Sequence, residues 1–160
     1  MQALTLDQAS VIVKTALSKG RELGFNPLTV AVLDSGGHLV AFKREDSSGI
    51  LRPEIAIGKA WGSLGMGVSS RTLRDNLSER PTFVNALQVA SQGRVFPVPG
   101  GVLILNQDGG IIGAVGISGD TSEKDELCAI EGVKAAGLEC DPESPDPLWK
   151  ESKLGPDPEK

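Results

Sequence analysis

Two stretches of this chain constrain its fold more than any other feature. "LTVAVLDSGGHLVAFKR", residues 28 to 44, is a β-branched run, a Ser-Gly-Gly turn and a second apolar run. "GVLILNQDGGIIGAVGIS", residues 101 to 118, repeats the plan around Gln-Asp-Gly-Gly. Two strands joined by so short a glycine turn pair antiparallel, because a parallel crossover needs a dozen residues or more. The chain is therefore expected to hold two hairpins in one antiparallel sheet.

Helical patterns surround the hairpins. Thr5 and Gln8 form a capping box ahead of Ala9, Ile12, Val13, Ala16 and Leu17, and Gly24 and Pro27 stop that helix near residue 23. Pro53 to Met66 reads as a second helix, with proline in its first turn. "SSRTLRDNL" reads as a short third, capped by Ser69 or Ser70, and Pro81 to Gly93 as a fourth. A last helix is expected from Thr121 to Ala136. Helix, hairpin, helices, hairpin, helix makes an α+β domain, helices packed on an antiparallel sheet. A dinucleotide-binding parallel sheet is disfavoured, since no G-x-G-x-x-G lies between a strand and a helix.

Residues 1–140 are expected to form this single domain. Residues 141–160 hold five of the ten prolines and no periodicity, and read as an extended proline-rich tail, either docked by Trp149 or disordered. A net charge of −5 and only 4% aromatic residues argue against nucleic acid as a partner. The N-terminus carries no signal-peptide pattern, and no apolar run approaches the ~20 residues that span a bilayer, so no membrane partner and a cytoplasmic location are expected. Cys128 and Cys140 would sit roughly 15–18 Å apart along a helix, too far for a disulfide.

Candidate site residues emerge near "SGDTSEKDELCA". On a helical wheel Asp125 shares its face with Cys128, Ala129, Gly132, Val133 and Ala136, while Lys124, Glu131 and Lys134 point away. Asp125 is thus expected to be buried. It either caps the Ser118–Ser122 turn or faces a pocket with a cation or ligand hydroxyl as partner. Asp120, Glu123 and Asp125 argue against a phosphate cradle at this helix start. "FPVPGG" cannot be regular ladder: Pro97 and Pro99 lack the donor, while Gly100 and Gly101 allow close backbone approach. It is either a bent strand start or the backbone wall of a pocket. Lys59 lies opposite Ile57, Ala60, Trp61 and Leu64, so periodicity alone makes it solvated.

"LTLDQA", "VAVLDSGGHLVAFKRED", "IAIGKA", "PVPGGVLI" and "GAVGISGDTSEKDELCA" together resemble, in that order, the GlcG/HbpS-like haem-binding (haem-degrading domain) family, related to the C-terminal part of PduO-type corrinoid adenosyltransferases. The likeness runs from about residue 4 to 137. It implies a profilin- or PAS-like α-β-α layering, homo-oligomers from dimer to octamer, and in some relatives haem. Positions matching the family pattern are Asp34, Gly37, Arg44, Asp46, Lys59, Pro99, Gly100, Gly101, Gly116, Ser118, Gly119 and Asp125. Ser47-Ser48 departs from the usual Gly-Ala, and Trp61 stands where Thr is common. The resemblance also makes pairing of Lys59 with Asp125 or Asp34 worth testing.

The ligand-binding candidates are thus Asp34, Arg44, Lys59, Pro99, Gly100, Gly101, Ser118, Gly119 and Asp125. For haem as cofactor the candidate is His38, the only histidine, at the first hairpin turn; it is either an axial ligand or a solvated turn residue. Met66 and the cysteines are the other residue types able to ligate iron. No metal site is expected. Three functions remain open: an oligomeric binder of haem or a related tetrapyrrole; an enzyme on a small anionic metabolite, with Asp125 or Asp34 as acid–base and Lys59 or Arg44 as anchor; and an accessory or assembly subunit with a vestigial pocket.

Overall fold

The structure, a computed structural model, describes residues 2–155. In chain order the elements are α1 (Leu6–Glu22), β1 (Thr29–Asp34), β2 (Leu39–Arg44), α2 (Arg52–Met66), α3 (Ser70–Leu77), α4 (Pro81–Ala90), β3 (Gly101–Leu105), β4 (Ile111–Ser118), α5 (Ser122–Ala135) and β5 (Glu139–Asp141). The strands form one antiparallel sheet in the order β2-β1-β4-β3-β5. Both hairpins form as expected, β1 with β2 and β3 with β4, and β1 joins them through β4.

Strand alternation sorts the side chains into two cores. Val30, Val32, Val102, Ile104, Val115 and Ile117 point to one face, where α1 and α5 cover them with Ile12, Val13, Ile130 and Val133. Leu33, Leu103 and Ala114 point to the other, under α2. The interior strand β1 is buried along its first five residues because both faces are covered. The result is the α-β-α layering expected. The capping box at Thr5 and Gln8 is present.

The α2 layer seats on glycine. Gly101 and Gly116 are paired partners on neighbouring strands, and both face α2. A Cβ on Gly116 would strike the Ala56 carbonyl, and one on Gly101 the Lys59 carbonyl. Helix backbone thus lies directly on sheet backbone there. The proline segment before β3 is irregular, as expected, while a strand after α5 was not anticipated. Residues 95–100 are irregular, and β3 starts only at Gly101, because Pro97 and Pro99 cannot join a ladder. A fifth strand, β5, pairs with β3 at Ile104 and Cys140. The segment after it folds back over the domain, with Trp149 edge-on to Phe25 at 5.8 Å; residues 156–160 of the expected tail lie outside the described residues. Ser47 holds φ = 68°, a conformation glycine enters without the penalty a side chain meets.

Candidate functional site

The nominated residues fall into two places. Thr29 pairs with Ser118 at one end of β1, and Asp34 pairs with Gly113 at the other. Five residues of strand separate the ends by about 17 Å. Lys59, Pro99, Gly100, Gly101, Ser118, Gly119 and Asp125 gather towards the first end. Asp34 and His38 occupy the second.

Asp125 lies in the first turn of α5, buried as the wheel requires. Its Oδ1 accepts the Asp120 N–H at 3.0 Å, so it does cap the turn. Its Oδ2 meets the Lys59 ammonium at 3.2 Å. Lys59 is buried too, which overturns the solvated reading from helical periodicity. Periodicity ranks faces by apolar content, but the slot beside α2 is made by a residue far away. Gly100 holds φ = 116°, and a Cβ there would lie 2.8 Å from Lys59 Nζ. With glycine in place, Nζ reaches the Ile117 carbonyl at 2.9 Å as well. Burial is the main influence on both groups. It pushes the Asp125 carboxyl up to about 6, against the pull of Lys59, and lowers Lys59, against the pull of Asp125.

This cluster is closed. Pro99, Gly100, Gly101, Ser118 and Gly119 are all buried. Arg52, which the sequence reading did not single out, donates to Ser118 Oγ at 3.0 Å. Arg44 donates to the Ser48 carbonyl at 2.8 Å at the outer end of β2. The Lys59–Asp125 pair joins α2, β4 and α5, and its charges are satisfied by each other and by backbone. It offers no face to a substrate, so an acid–base role for it finds no support in the geometry.

The other end of the sheet is open. Asp34 Oδ1 accepts from the Gly36 and His38 N–H groups, both at 2.9 Å, and lies 3.2 Å from His38 Nδ1. The His38 N–H, above all, keeps the Asp34 carboxyl below its usual range. An ionised carboxylate can only accept, so Nδ1 is the donor in this contact and Nε2 points away from it. The ring is 82% exposed. Gly37, immediately before it, touches Trp61. There a cavity of about 480 Å³ opens, with Ile57, Trp61 and Phe96 as apolar wall and Glu54 and Arg94 as its charged groups. Phe96 packs against Gly58, where a Cβ would collide with its ring. The Arg94 guanidinium lies 4.0 Å over the Trp61 ring. In the sequence Trp61 stood out only as an apolar-face residue and a departure from the family pattern, and Phe96 only as the start of "FPVPGG", one of whose two readings was a pocket wall; Arg94 gave no signal, since the irregular segment that carries it has no period.

Residues 4–134 match the family model described as haem degrading protein HbpS-like. The chain belongs to this family. Among curated relatives, an uncharacterised 15.0 kDa protein from Citrobacter freundii is 30% identical over 79% of this chain and 87% of its own. The corrinoid adenosyltransferase PduO of Salmonella typhimurium is 27% identical over 85% of this chain, which spans 40% of that longer protein. Among solved structures, a PduOC:heme complex superposes with a TM-score of 0.77 at 26% identity, covering 86% of this chain and 97% of that one. A crystal structure of HbpS superposes at 0.71 with 21% identity, over 84% and 90%, and shares the fold.

Beyond the span shared with the HbpS-like family lies a strap, residues 142–152, that covers α5. Arg71 donates to the Ser144 carbonyl at 2.8 Å, and Thr121 and Ser152 share a hydroxyl bond of 2.6 Å. Beneath it Glu126 is wholly buried. Its Oε1 accepts the Asp146 N–H at 3.3 Å; its Oε2 sits 3.2 Å from Arg71 Nε without a hydrogen bond. Burial pushes the Glu126 carboxyl up to about 7, opposed mainly by Arg71. A raised carboxyl means the folded chain holds a proton that the unfolded chain, near 4.5, has already released. Stability from Glu126 is full below pH 4.5 and is lost as pH rises through about 7. The melting temperature should therefore fall between pH 5 and 8, and Glu126→Gln should flatten that decline. An unchanged slope in Glu126→Gln would assign the effect elsewhere.

No helix among the described residues is long and apolar enough to cross a membrane. Cys128 and Cys140 are both free and buried.

Proposed function

We propose that this chain is a small homo-oligomeric protein that binds haem or a related tetrapyrrole at the open end of the sheet. The observation that carries the reading is an apolar cleft with Gly37 in its wall, the residue before an exposed histidine that Asp34 contacts through Nδ1. Asp34 orients His38 through Nδ1, the arrangement by which a carboxylate sets the tautomer of a metal-binding histidine. Nε2 is left exposed one residue from the cavity wall. The cavity volume lies within the ~300–1,000 Å³ usual for small-molecule sites, with the usual apolar lining and few polar groups. The heme-bound relative supports haem as the ligand.

A macrocycle in so open a cleft keeps one face uncovered, and a second copy would cover it. Exposed apolar side chains suit such an association. Ile50 is 91% exposed, Val89 81%, and α4 buries none of its residues fully. Haem, a small-molecule ligand, and further copies of the chain are thus its partners in this reading. The unbridged thiols fit a reducing, cytoplasmic setting.

Titration with haem should give a defined Soret band that saturates at a fixed stoichiometry. His38→Ala should change the band and weaken binding by about tenfold or more, and Asp34→Asn should weaken it by a similar factor through loss of ring orientation. Featureless absorbance that never saturates in the wild-type chain would refute the reading.

A further inference from the structure

The charged groups of the cleft say more about its ligand than its volume does. Arg94 is held at two points. Its guanidinium stacks on Trp61 at 4.0 Å, and its Nε donates to the Ser91 carbonyl at 3.0 Å. Both anchors leave the Nη1 and Nη2 end without a partner among the described residues. A planar guanidinium fixed in this way presents two parallel donors, the geometry that matches a carboxylate bidentately. Stacking also fixes the side chain before any ligand arrives, so little further rotamer freedom is lost on binding. Beside it, Phe96 is locked against Gly58, and Ile57 continues the apolar wall. Glu54, exposed in the first turn of α2, also lines the cavity, with no cation paired to it among the described residues.

We infer that the cleft selects a flat aromatic acid, with its ring system along Ile57 and Phe96 and a carboxylate seated end-on against Arg94. The inference rests on the cleft being the ligand site proposed above, and it names the part of the ligand that is recognised there. Haem and its iron-free porphyrin carry such carboxylates on the rim of a flat ring. Glu54 acts in the opposite sense. Its negative charge in the same cavity disfavours a second acid and so limits how an acidic ligand can be oriented.

The test compares haem with haem dimethyl ester, whose carboxylates are masked, in the wild-type chain, Arg94→Gln and Glu54→Gln, at matched low detergent. Arg94 is exposed, so Arg94→Gln should fold and melt like wild type. It should weaken haem by about tenfold or more, as expected for loss of a charge-assisted bidentate contact, and change ester affinity by less than about twofold. Glu54→Gln should tighten haem and leave the ester unchanged. Equal losses for both ligands in Arg94→Gln would assign Arg94 to packing of Trp61 and overturn the inference alone. So would no loss for either. A wild-type chain that saturates with neither ligand would overturn the haem reading first and this inference with it.

Discussion

Gly116→Val should leave the chain without its native tertiary structure, recovered mostly insoluble or lacking a cooperative thermal transition. The reason is positional. Gly116 lies in the middle of β4, pairs with Ala31 on one side and Gly101 on the other, and faces the backbone of α2. Its added Cβ would overlap the Ala56 carbonyl and approach the Ala60 nitrogen at 2.9 Å. These are backbone atoms of a fifteen-residue helix, and no rotamer change can move them aside. Ordinary overpacking costs about 1–3 kcal/mol because neighbouring side chains shift. Here the whole helix must lift, which exposes Leu33, Leu103 and Ala114 and separates Lys59 from Asp125. Against a total stability of about 5–15 kcal/mol, that loss is enough to unfold the domain. Gly109→Ala makes the control. Gly109 has φ = 76° in the exposed β3–β4 turn with nothing within 4 Å of the added atom, so only the conformational penalty of about 1–2 kcal/mol applies. Circular dichroism and thermal melting of both variants decide the matter. A Gly116→Val chain that melts like wild type would mean that α2 does not rest on the sheet at this point.

The same glycine shows what the sequence could and could not convey. "IIGAVGIS" is legible as a strand because its β-branched residues outweigh two glycines. Glycine inside a strand can mark a close approach by another group, a cue the reading of this strand did not use. The identity of that group was not legible, because Ala56 and Lys59 lie some sixty positions away. Local signals gave the capping box at Thr5, the two hairpins and the burial of Asp125, each of which depends on residues within a few positions. β5 was missed because three residues flanked by proline carry no period. Burial of Lys59 was missed for a different reason. The wheel set Lys59 opposite the apolar face of its helix, and the slot that receives it is made by Gly100, far away in the sequence. The cleft was least visible of all. Trp61 comes from α2, Gly37 from a hairpin turn, and Arg94 and Phe96 from the irregular stretch before β3. Only the assembled sheet brings them together.

Lys59 and Asp125 carry the second large effect. Lys59→Met keeps the length of the side chain and removes its charge, which leaves Asp125 with the Asp120 N–H alone. Removing one partner of a buried pair costs about 3–5 kcal/mol, because the remaining charge stays desolvated. For a chain of 160 residues this is a fall of roughly 6–20 °C in melting temperature. The penalty should depend on pH in a definite direction. With Lys59 present the Asp125 carboxyl is already pushed up to about 6 by burial, and Lys59 is what holds it from rising further. Without Lys59 the folded chain keeps the Asp125 proton to higher pH, while the unfolded chain releases it near 3.8. The cost of Lys59→Met should therefore be smaller at pH 5, where Asp125 can be neutral, than at pH 8. Asp125→Asn should cost less than Lys59→Met at pH 8, because the amide still accepts from Asp120 and a buried lysine can shed its proton. Replacing both, Lys59→Met with Asp125→Leu, should recover much of the loss, since two apolar side chains of similar size leave no charge to desolvate. Urea denaturation of the three variants at pH 5 and 8 measures each of these differences. If Lys59→Met proves equally stable at both pH values, Asp125 is not the charge that its removal strands, and the two groups do not act as a pair.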